Sequence, residues 1–175
     1  MSILKVNTIQ DKGGNTLLSS DGAGTITLGS SFPTNTPSFS AKLSSNQVVS
    51  ASAYTILQFN NEQWDSDGKF DTSTYRFTPT IAGKYHVDIV VMFLNLSGTG
   101  NRVQLTIYKN GTFYAMVGDF AMTTTGAADP TFSLSTDMEL SSTDYIDIRA
   151  YQNTAGGVEL GSDYCFFSAH KIIGA

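Results

Sequence analysis

Histidines, the cysteine and paired carboxylates are the side chains here that could do chemistry, and they are few. His86 and His170 are the two histidines, and neither sits in a Cys/His pattern of the spacing that zinc sites use. His86 lies between Tyr85 and Val87 in an apolar run, so both histidines read as strand-face residues. Asp65-Ser66-Asp67-Gly68 opens as a calcium loop opens, with hard oxygen ligands two residues apart before a glycine. Counting twelve residues from Asp65 ends at Arg76, where such a loop needs a bidentate acid, so the stretch reads as a solvated turn. Asp137, Glu139, Asp144 and Asp147 read as solvent-facing carboxylates in or beside strands. Only their repetition around a symmetry axis would collect a cation such as calcium, and no other cofactor or metal is expected. Cys165, the single cysteine, lies in Tyr164-Cys165-Phe166-Phe167 with no cationic neighbour, the setting of an inert packed thiol. No nucleophile elbow, zinc-binding His pair or phosphate-cradling glycine loop is found, so no catalytic residue is assigned and the chain is not expected to be an enzyme.

Recognition needs other residues: rings for contact area, amides and hydroxyls for hydrogen bonds. Three loop-like stretches combine them, Gln63-Trp64-Asp65, 123–129 and 151–157. The binding candidates drawn from these are Trp64, Asp65, Thr124, Asp129, Tyr151 and Asn153, although Trp64 would serve equally as core packing.

These residues have to be held by strands. Charged residues are 14% of the chain while Ser and Thr number 20 and 21, a composition of β structure with polar faces. The 175 residues suffice for one self-standing core. Alternating segments predict strands over 39–43, 54–60, 75–78, 84–94, 102–109, 112–120, 131–140, 145–152 and 164–172, and no stretch carries helical spacing. Asn110-Gly111 predicts a two-residue hairpin turn, because both positions must take positive φ. Pro33 and Pro37 mark a linker over 31–37. It separates a body at 38–175 from a short front segment, 1–30, too small for its own core. In Thr25-Ile26-Thr27-Leu28 every second side chain is apolar, which leaves one face in need of a partner. A net charge of −5 without a Lys/Arg cluster argues against nucleic acid. No apolar run approaches a membrane span, and 1–5 has no basic region leading into an apolar stretch, so neither membrane insertion nor secretion is expected.

The order Phe59-Asn60, Gly68-Lys69-Phe70-Asp71, then Phe77-Thr78-Pro79-Thr80-Ile81-Ala82-Gly83-Lys84-Tyr85 resembles the globular head of the C1q and tumour-necrosis-factor-like superfamily. The resemblance continues through Leu105-Thr106-Ile107-Tyr108-Lys109-Asn110-Gly111 and the closing Phe166-Phe167-Ser168-Ala169. It departs at Ala169 and His170, where the family tends to carry glycine and an aromatic or aliphatic residue. Ser2-Ile3-Leu4-Lys5-Val6-Asn7-Thr8-Ile9-Gln10 with Gly14-Asn15-Thr16-Leu17-Leu18 is similar to the opening of phage tail-fibre proteins. Together the resemblances imply an all-β antiparallel jelly roll, homotrimeric, behind an N-terminal attachment segment. Phe39, Tyr85, Phe93 and Phe167 are expected at the trimer seam or in the core.

The function these features imply is that of a phage virion protein. Its head would bind a host-surface receptor or glycan without catalysis, residues 1–30 would attach to other virion proteins, and its place would be the virion, assembled in the host cytoplasm. Two alternatives stand beside it. One is a capsid decoration protein that clamps shell subunits, and the other a secreted C1q-like binding protein, for which Asn95 and Asn110 would be glycosylation acceptors.

Overall fold

The structure is a computed structural model and describes residues 6–29, 34–123, 125–153 and 158–173. The chain forms two compact units that divide after Thr34.

The first unit is a three-stranded antiparallel meander of β1 (Thr8–Gln10), β2 (Thr16–Ser20) and β3 (Ile26–Leu28). Its turns are held by acidic side chains. Asp11 accepts from the backbone and side chain of Asn15, and Asp21 Oδ1 accepts from the amides of Ala23 and Thr25. These hydrogen bonds hold both carboxyls below their usual range. Within its own unit such a sheet is a single layer. Ile26 and Leu28 remain 67% and 56% exposed, and Val6 and Ile9 are exposed as well.

The second unit contains β4 (Ser38–Lys42), β5 (Gln47–Val49), β6 (Ala53–Ile56), β7 (Asn61–Asp65), β8 (Phe70–Asp71), β9 (Arg76–Phe77), β10 (Gly83–Leu94), β11 (Arg102–Lys109), β12 (Thr112–Ala121), β13 (Thr131–Leu140), β14 (Ile146–Gln152), β15 (Val158–Leu160) and β16 (Phe166–Lys171). One sheet runs β5-β15-β10-β16-β4-β7, with β13 also paired to β10, and the other runs β12-β11-β14-β9-β8. All ladders are antiparallel. This is the two-layer sandwich of a jelly roll.

Strand alternation explains the core. In β10, Tyr85, Val87, Ile89, Val91 and Phe93 are buried, while the residues between them are half-buried or exposed. They meet Val103, Leu105 and Ile107 of β11 and Ile146, Ile148 and Ala150 of β14. At one end the rings of Phe39, Phe70, Phe77 and Phe167 gather, with Phe39 centroids 4.4, 4.8 and 4.8 Å from the other three. Removing such a ring costs about 3–5 kcal/mol. Phe39, Tyr85, Phe93 and Phe167 are all wholly buried between the sheets of one chain, so of the two roles expected for them they take the core.

Several boundaries differ from expectation. The segment expected over 54–60 ends as β6 at Ile56, and the polar stretch Asn61–Asp65 forms strand β7. Gln47–Val49, Phe70–Asp71 and Val158–Leu160 are additional short strands, and the last strand starts at Phe166 behind a 3-10 turn, Ser162–Tyr164. Pro37 is buried and its carbonyl accepts from the Lys171 amide at 3.1 Å, so it opens the head; Pro33 lies outside the described residues. The hairpin is as expected: Asn110 and Gly111 have φ of 53° and 75°. Asn110 is fixed further by the Tyr145 amide at 2.9 Å and by Asp144 Oδ1 at 2.6 Å.

Candidate functional site

The outward face of the five-stranded sheet holds the richest assembly of polar and aromatic side chains. Cross-strand register sets it. Gln104 stands opposite Tyr151 and Asp119, Thr106 opposite Arg149 and Met116, and Tyr108 opposite Asp147 and Phe113. Residues directly opposite in an antiparallel pair share a face. β6 runs beside β14, tied by Ser52 N to Gln152 O at 2.7 Å and Leu57 N to Ile148 O at 2.9 Å, and lays Tyr54 across the same face.

A ladder of four rings results. Tyr151 to Tyr54 is 5.2 Å between centroids, Tyr54 to Tyr108 is 5.9 Å, and Tyr108 to Phe113 is 6.1 Å. Tyr54 and Phe113 are 40% and 50% exposed. Arg149 lies over the Tyr108 ring at 3.9 Å and donates through Nε to Asp147 at 2.6 Å. Asp147 is wholly buried and also faces Arg76 Nε at 3.5 Å, while Arg76 stacks on Tyr145 at 4.1 Å. Asp147 was expected to face solvent; its position on the outward face is right, but two guanidiniums roof it over. At the other end Arg102 forks onto both oxygens of Asp119, which keeps that carboxyl below its usual range. Gln104 is gripped from both ends, accepting from the Tyr54 hydroxyl at 2.8 Å and donating to Asp119 at 3.4 Å.

A second cluster lies on the outward face of the other sheet. His86 Nδ1 is 2.6 Å from Asp137 Oδ1, and its Nε2 is 3.0 Å from Ser135 Oγ and 3.3 Å from Asp88 Oδ2. The His170 ring lies 5.4 Å away. Asp137 first, and Asp88 after it, raise the His86 pKa above its ordinary value. The same face carries Trp64, 50% exposed, Phe166, and half-buried Val90 and Met92. No group of three or more His, Cys, Asp or Glu suited to a metal occurs among the described residues.

The residues singled out from sequence fall in different places. Tyr151 joins the ring ladder, but from a strand rather than a loop. Trp64 is likewise on a strand, in the opposite sheet, and it is not core. Asp65 is half-buried and accepts from the amides of Asp67 at 3.2 Å and Phe70 at 2.7 Å, closing its turn on itself. Asp129 accepts from the Asn95 amide at 2.7 Å, and Asn153 from the Arg102 amide at 2.6 Å, so both brace loops. Thr124 lies outside the described residues. Tyr54, Tyr108, Gln104, Arg149 and Phe113 were not singled out. The polar and aromatic alternation of Gln104-Leu105-Thr106-Ile107-Tyr108 could have drawn attention to them, but the partner strands that complete the face are about 40 residues away.

No family model and no curated protein sequence matches the chain. Among solved structures, the globular domain of the zebrafish complement 1qA protein is similar in fold, with a TM-score of 0.54 and 19% sequence identity. The match covers 78% of this chain and 97% of that domain. The head is therefore a C1q-like jelly roll.

Proposed function

We propose that the chain is a non-catalytic virion protein, a homotrimeric tail-fibre or appendage head that binds a receptor or glycan on the host surface. Residues 1–30 anchor it to other virion proteins. The observation that carries this reading is the contrast between the two units. The head closes a core from its own residues, whereas the front meander leaves Val6, Ile9, Ile26 and Leu28 uncovered, as a segment completed by another protein would. Three strands without a second layer are marginal alone. Within the head, Trp64, Phe166, Val90 and Met92 supply apolar surface suited to burial against further copies.

The test is the absolute mass in solution of the full chain and of a chain starting at Asn35, followed by binding to host cells and to purified capsid shells. A mass three times 18.8 kDa for the full chain, retained in proportion by the shortened one, together with cell binding, is the expected result. A monomeric head overturns the trimer. Binding to shells in place of cells replaces the host-binding role with capsid decoration.

A further inference from the structure

We propose that the outward face of β11, β12 and β14, with Tyr54 from β6, is a carbohydrate-binding surface. This inference rests on the host-binding reading and gives it a location and a ligand class. A sugar ring has an apolar C–H face and a rim of hydroxyls, so it is bound by rings for the first and by planar paired donors and acceptors for the second. Both are here at the right scale. The four-ring ladder supplies the apolar contact, and the part-exposed Arg102–Asp119 pair and the Arg149 guanidinium flank it with donors and acceptors, held from behind by the buried Gln104 and Asp147.

Two properties separate this face from one that binds a protein or a nucleic acid. The centre of a protein interface is depleted of charge, whereas charged groups here alternate with rings, and the non-aromatic apolar side chains that β12 sets opposite them are Met116 and the small Ala121. Nucleic acid requires uncompensated positive charge, whereas Asp119 and Asp147 neutralise two of the three arginines. What remains is a near-neutral surface of rings and hydrogen-bonding planes, suited to a hydroxyl-rich ligand. It is also fixed in advance. Gln104 is tied at both ends and buried, Arg149 is held between Asp147 and the Tyr108 ring, and Thr106 Oγ1 donates to Arg149 O at 2.9 Å. Side chains already immobilised lose little entropy when a ligand arrives.

The experiment places the full chain on an array of bacterial surface polysaccharide fragments, neutral and uronic-acid-bearing, beside Tyr54→Ala, Tyr108→Ala and Tyr108→Phe. Tyr54 is exposed, so its truncation keeps the test open should Tyr108→Ala fail to fold. Expected is binding by the native chain, a loss of roughly tenfold or more in Tyr54→Ala and Tyr108→Ala, and retention in Tyr108→Phe. Carbohydrate binding that both alanine variants keep overturns the assignment to this face. No binding to any carbohydrate overturns the ligand class, and cell binding by the same preparation then shows that the host-binding reading survives without it.

Discussion

His86 sits where one proton changes a local ion pair. Protonated, it faces Asp137 and Asp88 with a full charge; neutral, it keeps only hydrogen bonds to Asp137 and Ser135. Other charged or titratable groups described on this face are Lys84 of the same strand, Glu139 of β13, His170 of β16 and, further across, Lys42 of β4. Because the folded-state pKa is raised, the stabilisation is fully present below the unfolded value of about 6.5 and fades as pH rises through the folded one. The His86 side chain is 33% exposed and its partners are more so, so solvent screens the pair and the effect on stability is small; the direct measurement is NMR. The His86 ring is expected to titrate above 6.5 in the native chain and to move down in Asp137→Asn; a midpoint at or below 6.5 in the native chain contradicts the pairing. Cys165 represents the opposite case. Buried and beside no cation, its thiol is pushed up to about 11, as its apolar neighbours in sequence led one to expect. Asp147 was not foreseeable in the same way, since its cover comes from Arg76 and Arg149, and nothing in the local sequence Ile146-Asp147-Ile148 reveals that two guanidiniums close over it.

At the scale of elements, β12 shows how one residue bends a strand. Register between β11 and β12 skips Gly118, pairing Gln104 with Asp119 and Leu105 with Val117. Gly118 has φ of 68°, and a Cβ there would stand 2.0 Å from the Phe132 ring of β13. A bulge of this kind needs glycine for its positive φ and increases local twist, and here the freed space admits a ring from the facing sheet. Gly118→Ala is expected to cost about 1–3 kcal/mol through strain and overlap, read by denaturant melts, and Phe132→Leu in the same chain is expected to restore part of it. An unchanged midpoint for the single variant would mean that the strand does not turn there. Long strands such as β10 and β11 were legible because their apolar residues alternate over eight or more positions. β5, β8 and β15 were not, because three residues or fewer carry no period. Asn61–Asp65 was hidden for a different reason: as an edge strand of polar residues it owes its form to pairing with β4 and not to burial of its own side chains.

For the whole molecule, the order of motifs around Phe77, Pro79, Gly83 and Tyr85 pointed to a C1q-like head, and the fold agrees. That succeeded because those residues punctuate a topology: Phe77 of β9 and Tyr85 of β10 pack on each other at 5.6 Å, with Pro79 in the connection between the strands and Gly83 opening β10. The ring ladder, by contrast, exists only after four separate segments of chain have come together, and spacing along one strand does not report it. The placement of Trp64 has a spectroscopic consequence. It is the sole tryptophan, half exposed on the outward face of the seven-stranded sheet, opposite Ser40 in the register with β4. Its indole emission is therefore a built-in dye for that face. Under the proposed trimerisation, it should emit as in water in dilute protein, and as concentration rises through assembly it should shift to the blue and resist quenching by iodide. An emission maximum that stays fixed while the mass triples would place the contact between copies on a different part of the head, with no mutation or label needed to learn it.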